Sequence, residues 1–459
     1  MAELEALLGA VAGAVWGGPL LALLLGTHVF LTFRLHFVQR HTLRAVRLSV
    51  TKEPGAQGEI SPFAALTTAL AATIGTGNIV GVATAVAAGG PGAVFWMWLS
   101  GVFGMATKYA ESLLSVKYRV RKNDGGFSGG PMAVMERGLH MPLLGRAFAF
   151  FTVCAALGIG AMVQSNSIAQ VFASVFRVPP LLTGLVVALL AGTVLLGGIQ
   201  SIARVCSLLI PAAGAVFVLS NLALLGLHAP ELPHTLAIIL RDAFGGQAAV
   251  GGFAGATVKQ AMRFGIARGL FSNEAGLGSE PIVAAAAQTR SPVRQALVSL
   301  TGTFWDTVVL AALTGIVVVN SGAWQGGKNG AALTAEVFGA LPGGRILLAL
   351  SLFTFAFATC IGWSYYAEKA AEYLFGRRGI GPCKAAYVAL MVLGAVFPLG
   401  AVWSFSDIAN ALMAVPNLFS VLLLNGEVKR ETRAHLGEVL EQAGGGKKHR
   451  GPNRRFPAG

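Results

Sequence analysis

Two short polar clusters interrupt long apolar runs in this sequence. The first is the run Gly75 to Asn78, and the second extends from Gly269 to Gly278 and includes Glu274. Glycine costs about 1 kcal/mol in a helix relative to alanine, so each cluster predicts an unwound turn. Hydrocarbon tolerates an unwound turn only where it lines a protein cavity. Close packing of helices on small residues is the alternative explanation for both clusters.

An unwound turn inside a membrane helix exposes backbone groups in both directions. The N-terminus of the outer half-helix offers N–H groups and the positive end of a dipole, which suit a carboxylate. The C-terminus of the inner half-helix offers carbonyl oxygens, which suit a small hard cation such as sodium. One broken helix can therefore bind both the anionic group of an amino acid and the cation that drives its uptake.

The elements that carry these clusters are apolar enough to lie in lipid. The chain of 459 residues is 54% hydrophobic and 12% charged, and its mean hydropathy is +0.67. A soluble protein carries about 25% charged residues. The apolar runs are about 20 residues long, which favours membrane helices over the strands of a barrel. We expect an all-α membrane protein with about eleven transmembrane helices.

The order of the helices predicts two inverted halves. We expect an N-terminal helix and a basic loop in 1–61, five helices in 62–227, an outer connection in 228–253, and five helices in 254–424. Each half begins with its broken helix, and an odd number of helices makes the second half enter from the opposite side. Paired interruptions in inverted repeats indicate a substrate site near the middle of the membrane. Two amphipathic segments, 231–244 and 331–341, fall in outer loops.

Lysine and arginine determine the predicted orientation. The net charge is +14, and most basic residues lie in alternate loops and in the tail 425–459, which we expect to be disordered. The excess of positive charge marks the cytoplasmic side, so the N-terminus is expected outside and the C-terminus inside a cell membrane. A nucleic-acid partner is disfavoured because the basic residues separate apolar runs and do not line one face. The four cysteines have no paired spacing and are expected to be free thiols.

Several motifs, in order along the chain, resemble those of one transporter family. They are 62–70 with 73–78, 89–98, 103–109, 269–276 and 362–369. Over residues 60–425 the sequence resembles the alanine/glycine:cation symporter family. The resemblance implies a fold of leucine-transporter type with five plus five inverted helices. It also implies sodium- or proton-driven uptake of alanine, glycine or a similar small neutral amino acid, with no cofactor besides the coupling ion and no enzymatic activity.

The same resemblance implies six substrate-binding residues, which are Thr76, Gly77, Asn78, Gln164, Phe271 and Trp363. The first three would offer donors to the substrate carboxylate. Gln164 would reach the site from the fourth span, or would form an interhelical hydrogen bond. Phe271 would face the amine and side chain of the substrate. Trp363 would close the pocket, with plain packing as its alternative.

The resemblance also implies a sodium site. Its ligands would be the carbonyl oxygens of Ala71 and Ile74 and the hydroxyl of Thr359. Ala358 departs from the usual pattern, in which two adjacent hydroxyl residues occupy the ninth span. Water or Ser364 could supply the missing ligand, and the choice between sodium and proton stays open. Asp306, inside the eighth span, is either an extra carboxylate for the cation or an interhelical hydrogen-bond partner.

Three other functions compete with sodium symport. A proton-coupled carrier would use Asp306 or Glu274 as its titrating group. A passive channel is disfavoured because no filter-like segment accompanies the broken helices. A membrane-embedded enzyme needs a nucleophile, an acid–base pair or a metal cluster, and the sequence presents none of these.

Overall fold

The chain folds almost entirely into helices. The computed structural model describes residues 2–123, 125–245, 258–397 and 399–443. The helices before residue 230 are α1 Ala2–Val15, α2 Gly18–Arg34, α3 Thr42–Val50, α4 Pro62–Thr73, α5 Val82–Gly89, α6 Gly92–Lys117, α7 Pro131–Ala133, α8 Pro142–Ala155, α9 Gln164–Phe176, α10 Pro180–Leu196 and α11 Gly198–Leu227. Those after it are α12 Leu232–Gly245, α13 Val258–Asn273, α14 Pro281–Ala284, α15 Pro292–Thr303, α16 Ala312–Asn320, α17 Gly330–Phe338, α18 Gly344–Phe375, α19 Ile380–Val396, α20 Leu399–Leu423 and α21 Asn425–Ala443.

Short non-α segments join some of these helices. The π-helical segment Ala156–Val163 joins α8 to α9, and Phe304–Ala311 joins α15 to α16, so each pair forms one long helix. Two strands, β1 Val120–Arg121 and β2 Phe127–Ser128, pair antiparallel in the loop after α6.

The apolar helices fit the expected membrane protein. Among the described residues, six helical stretches are long and apolar enough to cross a membrane, or seven if the bent pair of α4 and α5 is one span. One of the six, Gly344–Val396, comprises two helices, α18 and α19, which pack against each other. The helical class is therefore confirmed, whereas the count of about eleven spans stays a prediction.

The first polar cluster interrupts a helix as predicted. Helix α4 ends at Thr73, and Ile74 leaves the helical region with φ −76° and ψ 96°. The chain resumes as a π-helical turn at Gly77–Gly81 and continues into α5. The segments on the two sides of the break are bent by 52°. The break therefore exposes backbone groups of Ile74 to Thr76 at the junction of two half-helices.

The second polar cluster also interrupts a helix, but later than its first glycine. Helix α13 continues through Gly269 and ends at Asn273. Glu274 then adopts a left-handed conformation with φ +54°, and Gly276 and Gly278 follow with φ +90° and +80°. Residues other than glycine rarely adopt a positive φ, and where they do, as Glu274 does here, they often mark a functional segment.

Two long helices flank the breaks. Helix α18 packs against α4 and α9, and α6 packs against α13 and α15. Helix α20 packs against α8 and the π-helical segment that follows it. The walls around the breaks therefore come from both halves of the chain. The two predicted amphipathic segments are helices α12 and α17, as their patterns indicated.

The expected disorder of the tail is wrong for residues 425–443. These residues form helix α21, which packs against α3, α6 and α15. Its buried residues Val428, Thr432 and Val439 fall on one helical face, and Lys117 pairs with Glu427 and Glu431 at 2.5 and 2.6 Å. An amphipathic face thus folds a segment whose average composition is polar. Residues 444–459 of the tail, 246–253 of the connection and 254–257 of the second half lie outside the described residues.

Candidate substrate and ion site

A small cavity lies where the two broken helices meet. Its lining comes from α4 and the first break, from the α8–α9 helix, from the end of α13, and from α18 and α20. The lining residues are Ala72, Thr73, Gly75, Thr76, Gly77, Ile159, Gln164, Phe271, Glu274, Thr359 and Asn410. The cavity volume is about 10 Å³, which is room for about one water molecule. A larger molecule enters only if the lining helices move apart.

A second, larger cavity lies away from both breaks. It has a volume of about 390 Å³, and its lining includes His228, Ser321 and Glu336. None of the predicted site residues lines it. We therefore place the candidate site at the smaller cavity, because the unwound backbone and the predicted polar side chains converge there.

The three predicted cation ligands come together at the end of α4. The Thr359 hydroxyl on α18 lies 2.9 Å from the Ala71 carbonyl oxygen and 3.4 Å from that of Ile74. It also lies 3.0 Å from the Phe355 carbonyl oxygen of its own helix. Hydroxyl and carbonyl oxygens are hard ligands of the kind that alkali and alkaline-earth cations prefer. This group therefore has the chemistry of a cation site.

The missing hydroxyl at Ala358 is not replaced by Ser364. The Ser364 hydroxyl donates to the Ile361 carbonyl of its own helix at 2.6 Å. Ser364 also does not line the cavity at the breaks. A further ligand at this point would therefore come from water, the substrate or another cavity residue.

Two side chains expected to bind substrate reach the cavity with free polar atoms. The Thr76 hydroxyl and the Gln164 Oε1 are buried and have no hydrogen-bond partner among the described residues. A Cβ atom built on Gly75 would lie 2.8 Å from the Thr359 Oγ1 and 3.4 Å from the Gln164 Oε1. Gly75 is thus required where the backbone, the cation ligand and Gln164 approach closely. Buried polar atoms without partners in the protein indicate contacts with a ligand or water.

Asn78 connects the two broken helices and does not line the cavity. Its Oδ1 accepts from the Gly75 N–H at 3.3 Å, and its Nδ2 donates to Asp306 Oδ1 at 2.9 Å. Ser272, at the end of α13, donates to both carboxylate oxygens of Asp306 at 3.0 and 3.2 Å. Thr307 donates to Asp306 Oδ2 at 2.6 Å. Asp306 is fully buried, so this carboxylate joins the first break to the second through hydrogen bonds.

Of the two aromatic residues predicted for the site, Phe271 lines the cavity and Trp363 does not. Phe271 lines the cavity and packs on Trp403 of α20 with ring centroids 5.5 Å apart. Trp363 does not line the cavity, and its expected role in closing the pocket is not supported. Its Nε1 donates to the Ala72 carbonyl at 3.2 Å, and its ring packs edge-on against Tyr366. It is fully buried behind the first broken helix, so plain packing describes it.

Buried charged side chains form ion pairs and hydrogen bonds beside the second break. Lys108 on α6 pairs with Glu280 at 2.9 Å, and both side chains are almost fully buried. Glu111, one turn later, accepts from the Asn417 Nδ2 of α20 at 2.5 Å, and that amide also donates to the Gly276 carbonyl at 2.9 Å. We did not single out Lys108 or Glu111 from the sequence. The sequence could have indicated both residues, because charged residues inside an apolar span are rare and usually paired.

Glu274 and Asn410 complete the cavity. Glu274 accepts a hydrogen bond from the Ser279 hydroxyl, and its backbone conformation turns the chain at the second break. Asn410 on α20 was not predicted from the sequence. Its Oδ1 is buried without a partner among the described residues. One asparagine in an apolar helix gives no indication of which neighbour it faces.

Comparison with known proteins gives a consistent result. A family model described as the sodium:alanine symporter family matches residues 1–448. The chain is 48% identical over 444 residues to a protein of Methanococcus maripaludis named sodium/alanine symporter AgcS, covering 94% of this chain and 97% of the relative. It is also 48% identical over 436 residues to a Haemophilus influenzae protein named only as an uncharacterized transporter, covering 94% and 96%.

A solved structure shares the fold at low sequence identity. The crystal structure of MhsT in complex with L-phenylalanine aligns with a TM-score of 0.63 and 14% identity. The alignment covers 85% of this chain and 96% of the other. The two proteins therefore share the same overall fold.

Proposed function

The chain belongs to the sodium:alanine symporter family and is a multi-pass membrane transporter, not an enzyme, and we propose that it couples the uptake of a small neutral amino acid to sodium. Alanine and glycine are the proposed substrates. The relative from Methanococcus maripaludis is named for sodium and alanine, which favours this choice. We further propose eleven transmembrane helices, with five plus five in an inverted repeat and the C-terminus in the cytoplasm.

One observation carries the proposal. The possible cation ligands Ala71, Ile74 and Thr359 adjoin the partnerless polar atoms of Thr76 and Gln164 across Gly75. A cation and a zwitterion bound there would lie in adjacent turns of a single broken helix. Each would then alter the local field and geometry that the other meets, which is the requirement for coupled binding.

The substrate carboxylate is assigned to the first break. The exposed N–H groups at Thr76 and Gly77 begin the half-helix that leads into α5, where the helix dipole favours an anion. The Thr76 hydroxyl can add a donor. Gln164 reaches the same point from the α8–α9 helix. Ile159 and Phe271 bound the cavity on its apolar side, so a methyl or hydrogen side chain is favoured over larger ones.

Sodium is assigned to the carbonyl end of α4. The Ala71 and Ile74 carbonyls carry partial negative charge at the C-terminus of this half-helix. The Thr359 hydroxyl, which donates to Ala71, can rotate and present a lone pair to an ion. This ligand set supplies three oxygens, and water or the substrate would supply the rest.

A proton-coupled carrier is the second candidate, and Asp306 favours it. This carboxylate is fully buried in the membrane core and contacts both breaks through Asn78 and Ser272. Buried carboxylates that join moving helices are typical of proton relays. We prefer sodium because the three oxygen ligands at Thr359 form a site separate from Asp306.

Uptake of labelled alanine into proteoliposomes tests the proposal. The purified protein is reconstituted, and an inward sodium gradient or an inward proton gradient is imposed separately. Accumulation driven by sodium alone supports sodium symport. Accumulation driven by protons alone contradicts it and moves the coupling to Asp306. No accumulation of alanine or glycine under either gradient contradicts the assigned substrates.

A further inference from the structure

Three residues that line one cavity each have a buried oxygen atom with no hydrogen-bond partner among the described residues. These atoms are the Thr76 Oγ1, the Gln164 Oε1 and the Asn410 Oδ1, and each side chain is no more than 2% exposed. A buried polar atom without a hydrogen bond destabilises the protein, so three of them around one cavity indicate a ligand with matching groups. Thr76 and Gln164 are already included in the proposed site, whereas Asn410 is not.

The face of α20 that carries Asn410 closes over the second break. Trp403 and Asp407 precede Asn410 by seven and three residues, so the three side chains lie near one another on this helix. Trp403 packs on Phe271 of α13, which lines the same cavity. The Asp407 carbonyl accepts from the Trp16 Nε1 at 2.8 Å, which ties this turn of α20 to the residue that follows α1. These two contacts fix the part of α20 that carries Asn410.

Whether an atom donates or accepts hydrogen bonds determines which group of a substrate it can bind. An amide Oδ1 accepts hydrogen bonds and cannot donate them. The only strong donors of alanine or glycine are the three N–H bonds of the ammonium group. A carboxylate at the first break would leave that ammonium free to extend across the cavity.

We propose that Asn410 is a substrate-binding residue, whose Oδ1 accepts a hydrogen bond from the ammonium group of the amino acid. The inference rests on the proposed function and deepens it. It adds α20 to the proposed substrate contacts from the two broken helices and the α8–α9 helix. A carboxylate of the same size with a methyl group in place of the ammonium, isobutyrate, offers no donor at this position.

The test compares two ligands on two variants. Asn410→Leu removes the acceptor while keeping a similar volume. Asn221→Leu is the matched control, because Asn221 on α11 is also fully buried with a partnerless Oδ1 but does not line the cavity. Binding of alanine and of isobutyrate to the full-length purified proteins is measured by calorimetry in saturating sodium.

We expect the unsubstituted protein and Asn221→Leu to bind alanine at least about 10-fold more tightly than isobutyrate. Asn410→Leu should bind alanine about 10- to 100-fold more weakly, since hydrogen bonds to charged groups contribute about 1.5–3 kcal/mol and 1.4 kcal/mol is tenfold. Its affinity for isobutyrate should change little, so the discrimination between the two ligands falls. If Asn410 had only a structural role, Asn410→Leu would weaken the binding of both ligands equally.

Unchanged alanine binding by Asn410→Leu, or an unchanged ratio between the two ligands, would overturn the inference. If the leucine variant does not fold, Asn410→Ala is measured in its place with the same expected fall in the ratio. Absence of alanine and glycine binding by the unsubstituted protein in sodium would instead contradict the proposed function on which the inference rests.

Discussion

The hydroxyl of Thr359 lies 2.9 Å from the carbonyl oxygen of Ala71, although the two residues are 288 positions apart in the chain. The contact joins α18 to the last turn of α4, directly before the first break. It brings a side-chain oxygen to a half-helix end whose carbonyls carry partial negative charge. This relationship is the geometric basis for placing the coupling ion at the break.

Replacing the Thr359 hydroxyl should weaken sodium coupling. Thr359→Val removes one oxygen ligand without changing the shape of the side chain, and we expect the sodium concentration for half-maximal uptake to rise about 10-fold or more. Thr359→Ser keeps the hydroxyl, so its sodium concentration for half-maximal uptake should stay near that of the unsubstituted protein. Thr354→Val on the same helix is the control, because Thr354 donates only to the Leu350 carbonyl of α18. Equal sodium dependence of uptake for all three variants would contradict the assignment of the ion to this position.

Adding a single methyl group at Gly75 should block the site. The new Cβ would lie 2.8 Å from Thr359 Oγ1, closer than such atoms normally approach. Overpacking of this kind costs about 1–3 kcal/mol and here displaces a proposed ligand. We expect Gly75→Ala to lower alanine uptake at least about 10-fold at an unchanged level of protein in the membrane. Gly192→Ala on α10 has open space at its Cβ, and its uptake should be normal.

The hydrogen bond between Asn78 and Asp306 should be needed for transport. Asp306→Asn places an amide among the donors of Asn78 and Ser272, which leaves buried groups unsatisfied at a cost of about 1–3 kcal/mol. We therefore expect uptake to fall strongly. The double variant Asn78→Asp with Asp306→Asn restores one donor and one acceptor, so it should recover part of the activity. A double variant no better than the product of the single effects would contradict a direct role for this pair.

Removing one partner of the buried pair Lys108 and Glu280 should destabilise the protein far more than removing one partner of an exposed pair. Lys108→Met leaves a carboxylate buried without its cation, which costs about 3–5 kcal/mol. Lys117→Met breaks partly exposed pairs with Glu427 and Glu431, which contribute about 0.2–1 kcal/mol each. Thermal unfolding in detergent should show a much larger loss for Lys108→Met. Adding Glu280→Gln to that variant should restore part of the loss, and a loss no larger than that of Lys117→Met would contradict this account.

The sequence predicted the parts of the site that depend on local backbone chemistry. Glycine and asparagine in an apolar run indicate a break, and both breaks lie within the predicted clusters. The three residues that the family motifs indicated as cation ligands, Ala71, Ile74 and Thr359, lie within 3.4 Å contacts of one another through the Thr359 hydroxyl, and their binding of a cation stays a prediction. Thr76, Gly77, Gln164 and Phe271 line the cavity as expected.

The remaining differences come from side-chain direction and from tertiary packing. Asn78 points to Asp306 and Trp363 lies behind α4, and no spacing along the chain determines which face of a helix meets the cavity. Asn410 was missed for the same reason. Helix α21 was missed because its average composition is polar, whereas its stability comes from a narrow apolar face and from Lys117.

The most direct test of the central claim is the affinity of the purified protein for alanine as a function of sodium concentration, with choline replacing sodium. If the ion and the substrate share the first break, the dissociation constant for alanine should fall at least about 10-fold from sodium-free to saturating sodium. By linkage, alanine should tighten sodium binding by the same factor. The same dissociation constant for alanine in sodium and in choline would contradict the account.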